Sequence, residues 1–244
     1  MTPASDLPKF PTLVYEQTLW DAGYTLIAGI DEAGRGAWAG PVCAAALILP
    51  PDPTLIHRLD RVRDSKLMTP HSREIWAPRI RLTALSWGVG FASSQEIDAL
   101  GILPATKLAA TRALGSLSSS PHPLSPLPSS SPPDPLSPTP AFLSLNPLIP
   151  NHLIPNYLIT DYLIFPELEW NQTALVKGDR LSLSIAGASV LAKTARDALM
   201  REYDAQYPGY GFARHKGYGT RLHQQSLRQM GLCEIHRKSF SIHY

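Results

Sequence analysis

Apolar and polar positions follow two rhythms through the first half of the chain. Leu13, Tyr15, Leu19 and Trp20 of LVYEQTLWDAGY (13–24) fall at loosely helical spacing and the stretch stops at Gly23, which predicts a short helix in an N-terminal segment, residues 1–24. TLIAGID (25–31) and PVCAAALILP (41–50) are β-rich runs joined by a short glycine-containing loop, and Pro50-Pro51 ends the second. LDRVRDSKLMTPHSREIWAPRI (59–80) begins polar and turns helical after Thr69-Pro70, with Thr69 suited to the cap and Pro70 to the first helical position. LSWGVGFASS (85–94) reads as a third strand, then SQEIDAL (94–100) and LPATKLAATRALG (103–115) as helices, the second ending at Gly115. Farther on, NYLITDYLIF (156–165) carries a strand with Asp161 in its middle or at its end. ALVKGDRLSLSIAGASVLAKTARDALMREYDAQY (174–207) gives a strand or loop, then a long helix from about Ser184 to Tyr207. Strands alternating with helices predict an α/β domain over residues 25–244, with a mixed sheet flanked by helices and a helical C-terminal part.

Residues 116–156 keep neither rhythm. They hold 12 of the 24 prolines, no Lys or Arg, and a single acid, Asp134. Proline removes backbone donors and serine adds no burial, so SLSSSPHPLSPLPSSSPPDPLSPTP predicts a disordered or polyproline-II-like surface insert. Its tail carries a small echo, LIPNHLIPNYLI, consistent with a local duplication.

Composition narrows the class. With 244 residues, 44% of them apolar, the chain can bury one sizeable core, and a formal charge of +2 points to no partner by itself. Cys43 and Cys233 lie far apart and argue against a disulfide framework. The start of the chain lacks a basic-then-apolar leader, and no apolar run approaches the roughly 20 residues that cross a bilayer, so a cytoplasmic protein without membrane association is expected. Charge collects locally: from Lys177 to Tyr244 there are 11 Lys and Arg against 5 Asp and Glu. RHKGYGTRLH (214–223) mixes cations with an aromatic and glycines, which suits a sugar-phosphate surface as well as a solvated helical face.

The chemistry concentrates in acids beside β-rich runs. IDEAGRG (30–36) sets Asp31 and Glu32 at a strand end before a glycine-flanked arginine. Asp161 interrupts an apolar run, where a charge is costly unless paired or terminal, and Asp179 lies between Lys177 and Arg180. Singly, each acid is explained by a cap, a turn or a surface ion pair. Were the strands to bring all four to one sheet edge, they would need divalent cations, and hard oxygen ligands select Mg²⁺ or Mn²⁺. Two such ions about 4 Å apart are a known device for in-line displacement at a phosphodiester. Other chemistries drop out, since there is no Cys-x-x-Cys or His-x-x-x-His for zinc, no Walker or dinucleotide glycine pattern, and no G-x-S-x-G elbow. Ser189, Lys193 and Asp197, spaced by four, share one helix face. For Asp197, a structural ion pair with neighbouring Arg196 is expected, and for Trp38, packing in the core or a loop.

AGIDEAGRGAWAGPV, DSKLMT, EIDALGILPATKLAATRAL, LITD, VKGD, IAGASVLAKTARDALM, YPGYGFARHKGYGT and IHRKSF occur in that order and together resemble the ribonuclease HII family from Tyr15 to Phe240, apart from the insert. The resemblance implies an RNase H-like α/β fold. It implies an endonuclease that hydrolyses the RNA strand of RNA–DNA hybrids and incises DNA duplexes at embedded ribonucleotides, leaving 5′-phosphate and 3′-hydroxyl ends, as a monomer serving DNA replication and repair. It places the family's metal-binding carboxylates on Asp31, Glu32, Asp161 and Asp179, around two Mg²⁺ or Mn²⁺ ions. The loop that reads the ribose 2′-OH through its backbone falls on Gly34, Arg35 and Gly36, where glycine permits the close approach a Cβ would block. The tyrosine that stacks on the sugar falls on Tyr218, and phosphate-side contacts fall on Lys66, Ser189 and Lys193. The chain departs from the family pattern at Tyr162, where glycine is usual, at Gly101, where asparagine is usual, and in the insert. The 30 residues before Asp31 are too few for the extra substrate-binding domain of ribonuclease HIII. The alternatives are a catalytically inactive nucleic-acid-binding protein of the same fold and a transposase-like fold-mate; the four carboxylates count against the first and the Gly-Arg-Gly loop against the second.

Overall fold

The computed structural model describes residues 7–117, 154–166, 168 and 170–244; of the expected disordered insert, 116–156, residues 118–153 lie outside the described residues, whereas its two ends are ordered, with Leu117 buried and Asn156 hydrogen-bonded to Leu26. The strands are β1 (Ile27–Ala33), β2 (Val42–Ile48), β3 (Ser86–Ala92), β4 (Tyr157–Asp161) and β5 (Gln172–Leu175). The helices are α1 (Val14–Asp21), α2 (Leu55–Arg58), α3 (Pro70–Thr83), α4 (Ser94–Leu100), α5 (Ile102–Gly115), α6 (Gly178–Leu181), α7 (Leu183–Gln206), α8 (Phe212–His215) and α9 (Arg221–Met230).

The strands form one mixed sheet in the order β3-β2-β1-β4-β5, with β1, β2 and β3 antiparallel and β4 and β5 parallel to β1. Every residue of β2 is buried, because helices cover both faces. The two-residue period of a strand divides its side chains. Cys43, Ala45 and Leu47 meet Trp76 and Ile80 of α3 and Ala188 and Leu191 of α7. Val42, Ala44, Ala46 and Ile48 meet Ala105, Ala109 and Ala113 of α5. Small side chains on strand and helix alike let these layers approach closely.

The long helix that follows the second stretch of strands starts one residue earlier than its sequence suggests and has a separate short prelude. α6 ends at Leu181, Ser182 is extended, and its hydroxyl accepts from Ile185 N at 3.2 Å to cap α7. The N-terminal segment fastens this junction. The buried Glu16 carboxylate of α1 accepts from Ser182 Oγ (2.6 Å), Ser184 Oγ (2.7 Å) and Ser184 N (2.9 Å), at the end of α7 where the helix dipole favours an anion. Thr69 caps α3 as expected, accepting from Ser72 N at 3.1 Å. Gly101 closes α4 at φ 84° and ψ 159°, a conformation open essentially to glycine alone, so the departure from asparagine suits the turn this chain makes. Cys43 and Cys233 are free thiols. Among the described residues no helix is long and apolar enough to cross a membrane.

Candidate active site

The site begins where parallel strands end together. Ile30 of β1 pairs with Thr160 of β4, so the next residue along each strand is Asp31 on one and Asp161 on the other. Asp31 pairs across β2 with Ala45 and therefore shares the α7 face, where it is only 3% exposed. Asp161 closes β4, and its Oδ1 accepts from Gly178 N at 2.8 Å, which draws α6 against the same edge. Asp179, in the first turn of α6, is buried beside it. Lys177 makes this turn possible by adopting φ 60° between β5 and α6. Tyr162 does the same after Asp161 at φ 67°, which explains why glycine would be easier there.

A fifth carboxylate joins these four. Asp64 accepts from Lys66 N at 2.9 Å, capping a 3₁₀ turn over Ser65–Leu67, and lies against Asp179, from which it can accept a hydrogen bond only when Asp179 is protonated. The turn is held to α7 by Ser189, whose hydroxyl bonds Ser65 Oγ at 2.9 Å and also meets Asp31. Lys66 is exposed at the rim of the group and makes no direct ion pair with it among the described residues. Burial works against its ammonium, yet Asp31, Asp179, Asp64 and Asp161 outweigh that and hold its pKa above the ordinary lysine value.

Burial pushes the carboxyl pKa values of Asp31, Glu32, Asp161 and Asp179 up. Asp31 lies well above its usual range, through desolvation first and then the charges of Glu32 and Asp161. Glu32 is raised by desolvation although Arg35, at 3.1 Å, opposes it. Asp161 is raised by desolvation against the Gly178 N–H, and Asp179 is pushed to about 7 by desolvation and by Asp64 and Asp161. Such anions conflict until a cation neutralises them. As they lie, no three Asp, Glu, His or Cys side chains among the described residues enclose a ready-made ion cage. The donor set is nevertheless all oxygen, buried and mutually repelling, which fits a hard divalent cation that draws the groups inward.

The Gly-Arg-Gly loop is held from behind. Gly34 has φ 95°, and a Cβ there would collide with the Arg196 guanidinium. Arg237, fully buried, donates to the carbonyls of Gly34 (2.7 Å), Arg35 (2.8 Å) and Gly40 (2.9 Å). Arg196, equally buried, donates to Pro41 O, Ala39 O and Lys216 O. The N–H groups of Gly34, Arg35 and Gly36 make no hydrogen bond among the described residues. The loop thus turns its carbonyls inward and keeps its amides available.

Tyr218 sits on the adjoining wall. Gly217 O accepts from Trp38 N (2.8 Å) and Ala39 N (3.2 Å), and the Tyr218 ring has Lys193 Nζ at 5.5 Å and Arg196 Cζ at 5.4 Å from its centroid. Lys193 thus stands with Tyr218, and with Asp197 at 2.8 Å, rather than with the carboxylates. Asp197 forms the expected ion pair with different partners: Arg73 at 3.1 Å and Lys193, since Arg196 is spent on backbone carbonyls. Trp38 packs over Gly219 and His223, as expected. Beneath Tyr218, three histidines that look scattered in sequence come together, with His215 and His223 stacked at 4.3 Å. Cys233 N donates to His236 Nδ1, so His236 Nε2 donates to His223 Nε2 and His223 Nδ1 to the Tyr218 carbonyl.

A family model described as Ribonuclease HII matches residues 28–124 and 164–243. The chain belongs to the ribonuclease HII family. Membership makes it a type 2 ribonuclease H, a metal-dependent hydrolase that cuts RNA strands internally and acts on RNA–DNA hybrids. It is 44% identical over 233 residues to Ribonuclease HII of Synechococcus sp. (strain JA-3-3Ab), covering 95% of this chain and 88% of the relative. With Ribonuclease HII of Syntrophotalea carbinolica it is 43% identical over 228 residues, covering 93% and 91%. Among solved structures, the ribonuclease H2 from Pyrococcus horikoshii OT3 shares the fold at TM-score 0.60 and 21% identity, covering 88% of this chain and 94% of that one. A Bst-RNase HIII in complex with Mn²⁺ does so at TM-score 0.59 and 18% identity, covering 89% and 68%. The matched stretches of the ribonuclease HII model hold Asp31, Glu32, the Gly-Arg-Gly loop, Asp179 and Tyr218, while Asp161 falls between them. Asp64, Arg196 and Arg237 escaped the residue-level reading, although Asp64 precedes Lys66 in DSK and Arg237 sits in IHRKSF.

Proposed function

We propose that this chain cleaves the RNA strand of RNA–DNA hybrids and incises DNA duplexes at embedded ribonucleotides, acting as a monomer, with Asp31, Glu32, Asp161 and Asp179 as the groups that hold two Mg²⁺ or Mn²⁺ ions. The observation that carries the reading is the convergence of buried, mutually repelling carboxylates beside a loop whose amides are unoccupied. When bound, such ions would supply an activated water and stabilisation of the leaving oxygen, giving 5′-phosphate and 3′-hydroxyl ends.

The protein's own groups do the rest. Backbone N–H groups of Gly34, Arg35 and Gly36 are the recognising elements for a 2′-OH, and Arg237 holds them in place through the carbonyls. Arg35 opposes the desolvation of Glu32 and orients its carboxylate. Lys66 offers a cation to a phosphate at the edge of the ring, and Ser189 orients Asp31 and the Lys66 turn together. The face of Tyr218, backed by Lys193 and Arg196, is available for a sugar.

The test is an end-labelled DNA duplex holding one ribonucleotide, incubated with Mg²⁺ or Mn²⁺ and with chelator, beside an all-DNA duplex of the same sequence. The expected result is one metal-dependent cut at the ribonucleotide and none in the all-DNA duplex. Metal-independent binding without cutting would favour the inactive binder, and cutting of all-DNA would favour a general phosphotransferase.

A further inference from the structure

The cations of the C-terminal part do not all gather at Tyr218. α3, α7 and α8 enclose a cleft of about 260 Å³ whose charged lining is Arg73, Glu74, Asp197, Arg201, Arg214 and Lys216. Four cations there face two carboxylates. Arg73 and Asp197 satisfy each other at 3.1 Å with both side chains buried, and Asp197 also holds Lys193. Glu74 meets Arg201 at 3.2 Å, but both are about half exposed, so water competes for the pair. Arg214 has no ion-pair partner among the described residues, and the Lys216 ammonium bonds only a carbonyl, Ala213 O at 2.5 Å. Thr194 also lines the cleft, and its hydroxyl, shielded from solvent, has no hydrogen-bond partner among the described residues. Cations without counter-ions and an unused hydroxyl around a concavity match an oxyanion.

The cleft and the candidate site share one face of α7. Ser189, Lys193, Asp197 and Arg201 follow one another every four residues along one face of α7, about 6 Å per step. The first meets Asp31, the second lies over Tyr218, and the last two line the cleft. Lys216 reaches it from two residues before Tyr218. A duplex seated on Tyr218 therefore has this cleft beside its continuing backbone.

We infer that the cleft is a phosphate subsite for the nucleic-acid backbone beyond the cut position, with Arg214, Arg201 and Lys216 as its cations and Thr194 as a hydroxyl donor. The direction in which the strand runs rests on the nuclease reading above; recognition of a backbone phosphate does not.

The experiment measures binding by the full chain in chelator, using fluorescence anisotropy across a salt series. The probes are a long duplex with one central ribonucleotide and two duplexes truncated close to the ribonucleotide on one side or the other. Arg214→Ala should lower the slope of log affinity against log salt by about one on the long duplex, and Arg214→Glu should weaken binding about tenfold or more. On the duplex that lacks the arm over the cleft, wild type and both variants should bind alike. Arg58→Ala, which removes an exposed cation of α2, serves as the charge-matched control and should leave both slopes unchanged. Wild-type behaviour of both Arg214 variants overturns the inference. So does equal weakening on all three duplexes, or an Arg58→Ala effect as large as that of Arg214→Ala. A wild-type protein that fails to nick with Mg²⁺ defeats the nuclease reading instead, and the metal-free binding comparison still decides this one.

Discussion

Buried ionisable side chains gather both at the carboxylate edge and beneath Tyr218, and the two places treat them in opposite ways. At the edge, Asp31, Glu32, Asp161 and Asp179 are crowded with like charges and all have raised pKa values. Beneath Tyr218, Arg196 and Arg237 each spend their guanidinium on backbone carbonyls, and His215, His223 and His236 pass hydrogen bonds in single neutral tautomers. The second region is resolved within the chain. The first is left unresolved, as expected of a place whose missing partner arrives from outside. On the proposed function, conflict marks the groups assigned to catalysis and satisfaction marks their support.

The largest effect should come from removing a member of the conflict. Asp31→Asn should lower turnover on a ribonucleotide-containing duplex by more than about 100-fold, since even outer partners of metal ligands cost about 10–100-fold. In chelator the same variant should melt no lower than wild type, because one of several repelling anions is gone. A large loss of both activity and melting temperature would erase the contrast between the regions.

Breaking a resolved pair should do the reverse. Asp197→Ala leaves the buried Arg73 guanidinium, which is 8% exposed, with the carbonyls of Ser65 and Met68 but no counter-charge, and should cost about 3 kcal/mol in denaturant unfolding. A loss under about 1 kcal/mol would mean that the pair is not sealed from water.

pH separates the regions by sign. Burial holds His223 at about 4, so its contribution to stability is present above about pH 6.5 and is lost as pH falls through 4. His215 and His236 shift the same way through burial. Asp179, raised to about 7, contributes oppositely: its share is present below about pH 4 and is lost as pH rises through 7. Mg²⁺ should therefore raise the melting temperature most above pH 7, by about 2–3 kcal/mol of stability at saturation, and far less at pH 5.5. His223→Gln should flatten only the acid limb of a urea-midpoint profile.

The smallest change tests the strand end itself. Tyr162→Gly should relieve the φ 67° conformation and stabilise the fold by up to about 1 kcal/mol with activity retained. A destabilised variant would show that the 65% exposed tyrosine makes contacts that outweigh its backbone strain.

Much of this was legible in the sequence because it is local. The unbroken apolar run PVCAAALILP marks a strand buried on both faces, and the run into Asp31 ends where the strand reaches the sheet edge. Asp161 was harder to place, since LITDYLIF continues apolar beyond it; only the positive φ of Tyr162 shows why the strand stops there. Asp64 sits in a polar stretch without periodicity, and its closeness to Asp179 depends on a 3₁₀ turn pinned by Ser189. The partner of Asp197 was misjudged because adjacent helix residues diverge: Arg196 points toward the Gly-Arg-Gly loop and Asp197 toward α3. The histidine cluster spans two helices and a loop, which spacing alone does not reveal.

Arg237 has a consequence for how the protein comes into being. It grips carbonyls some 200 positions earlier, with separations of 203 residues to Gly34 and 202 to Arg35. During synthesis Asp31 and Glu32 of the first strand emerge from the ribosome long before that grip is available. A nascent chain therefore carries the groups proposed for catalysis without the brace on the loop beside them, and the braced arrangement is complete only after translation has passed residue 237.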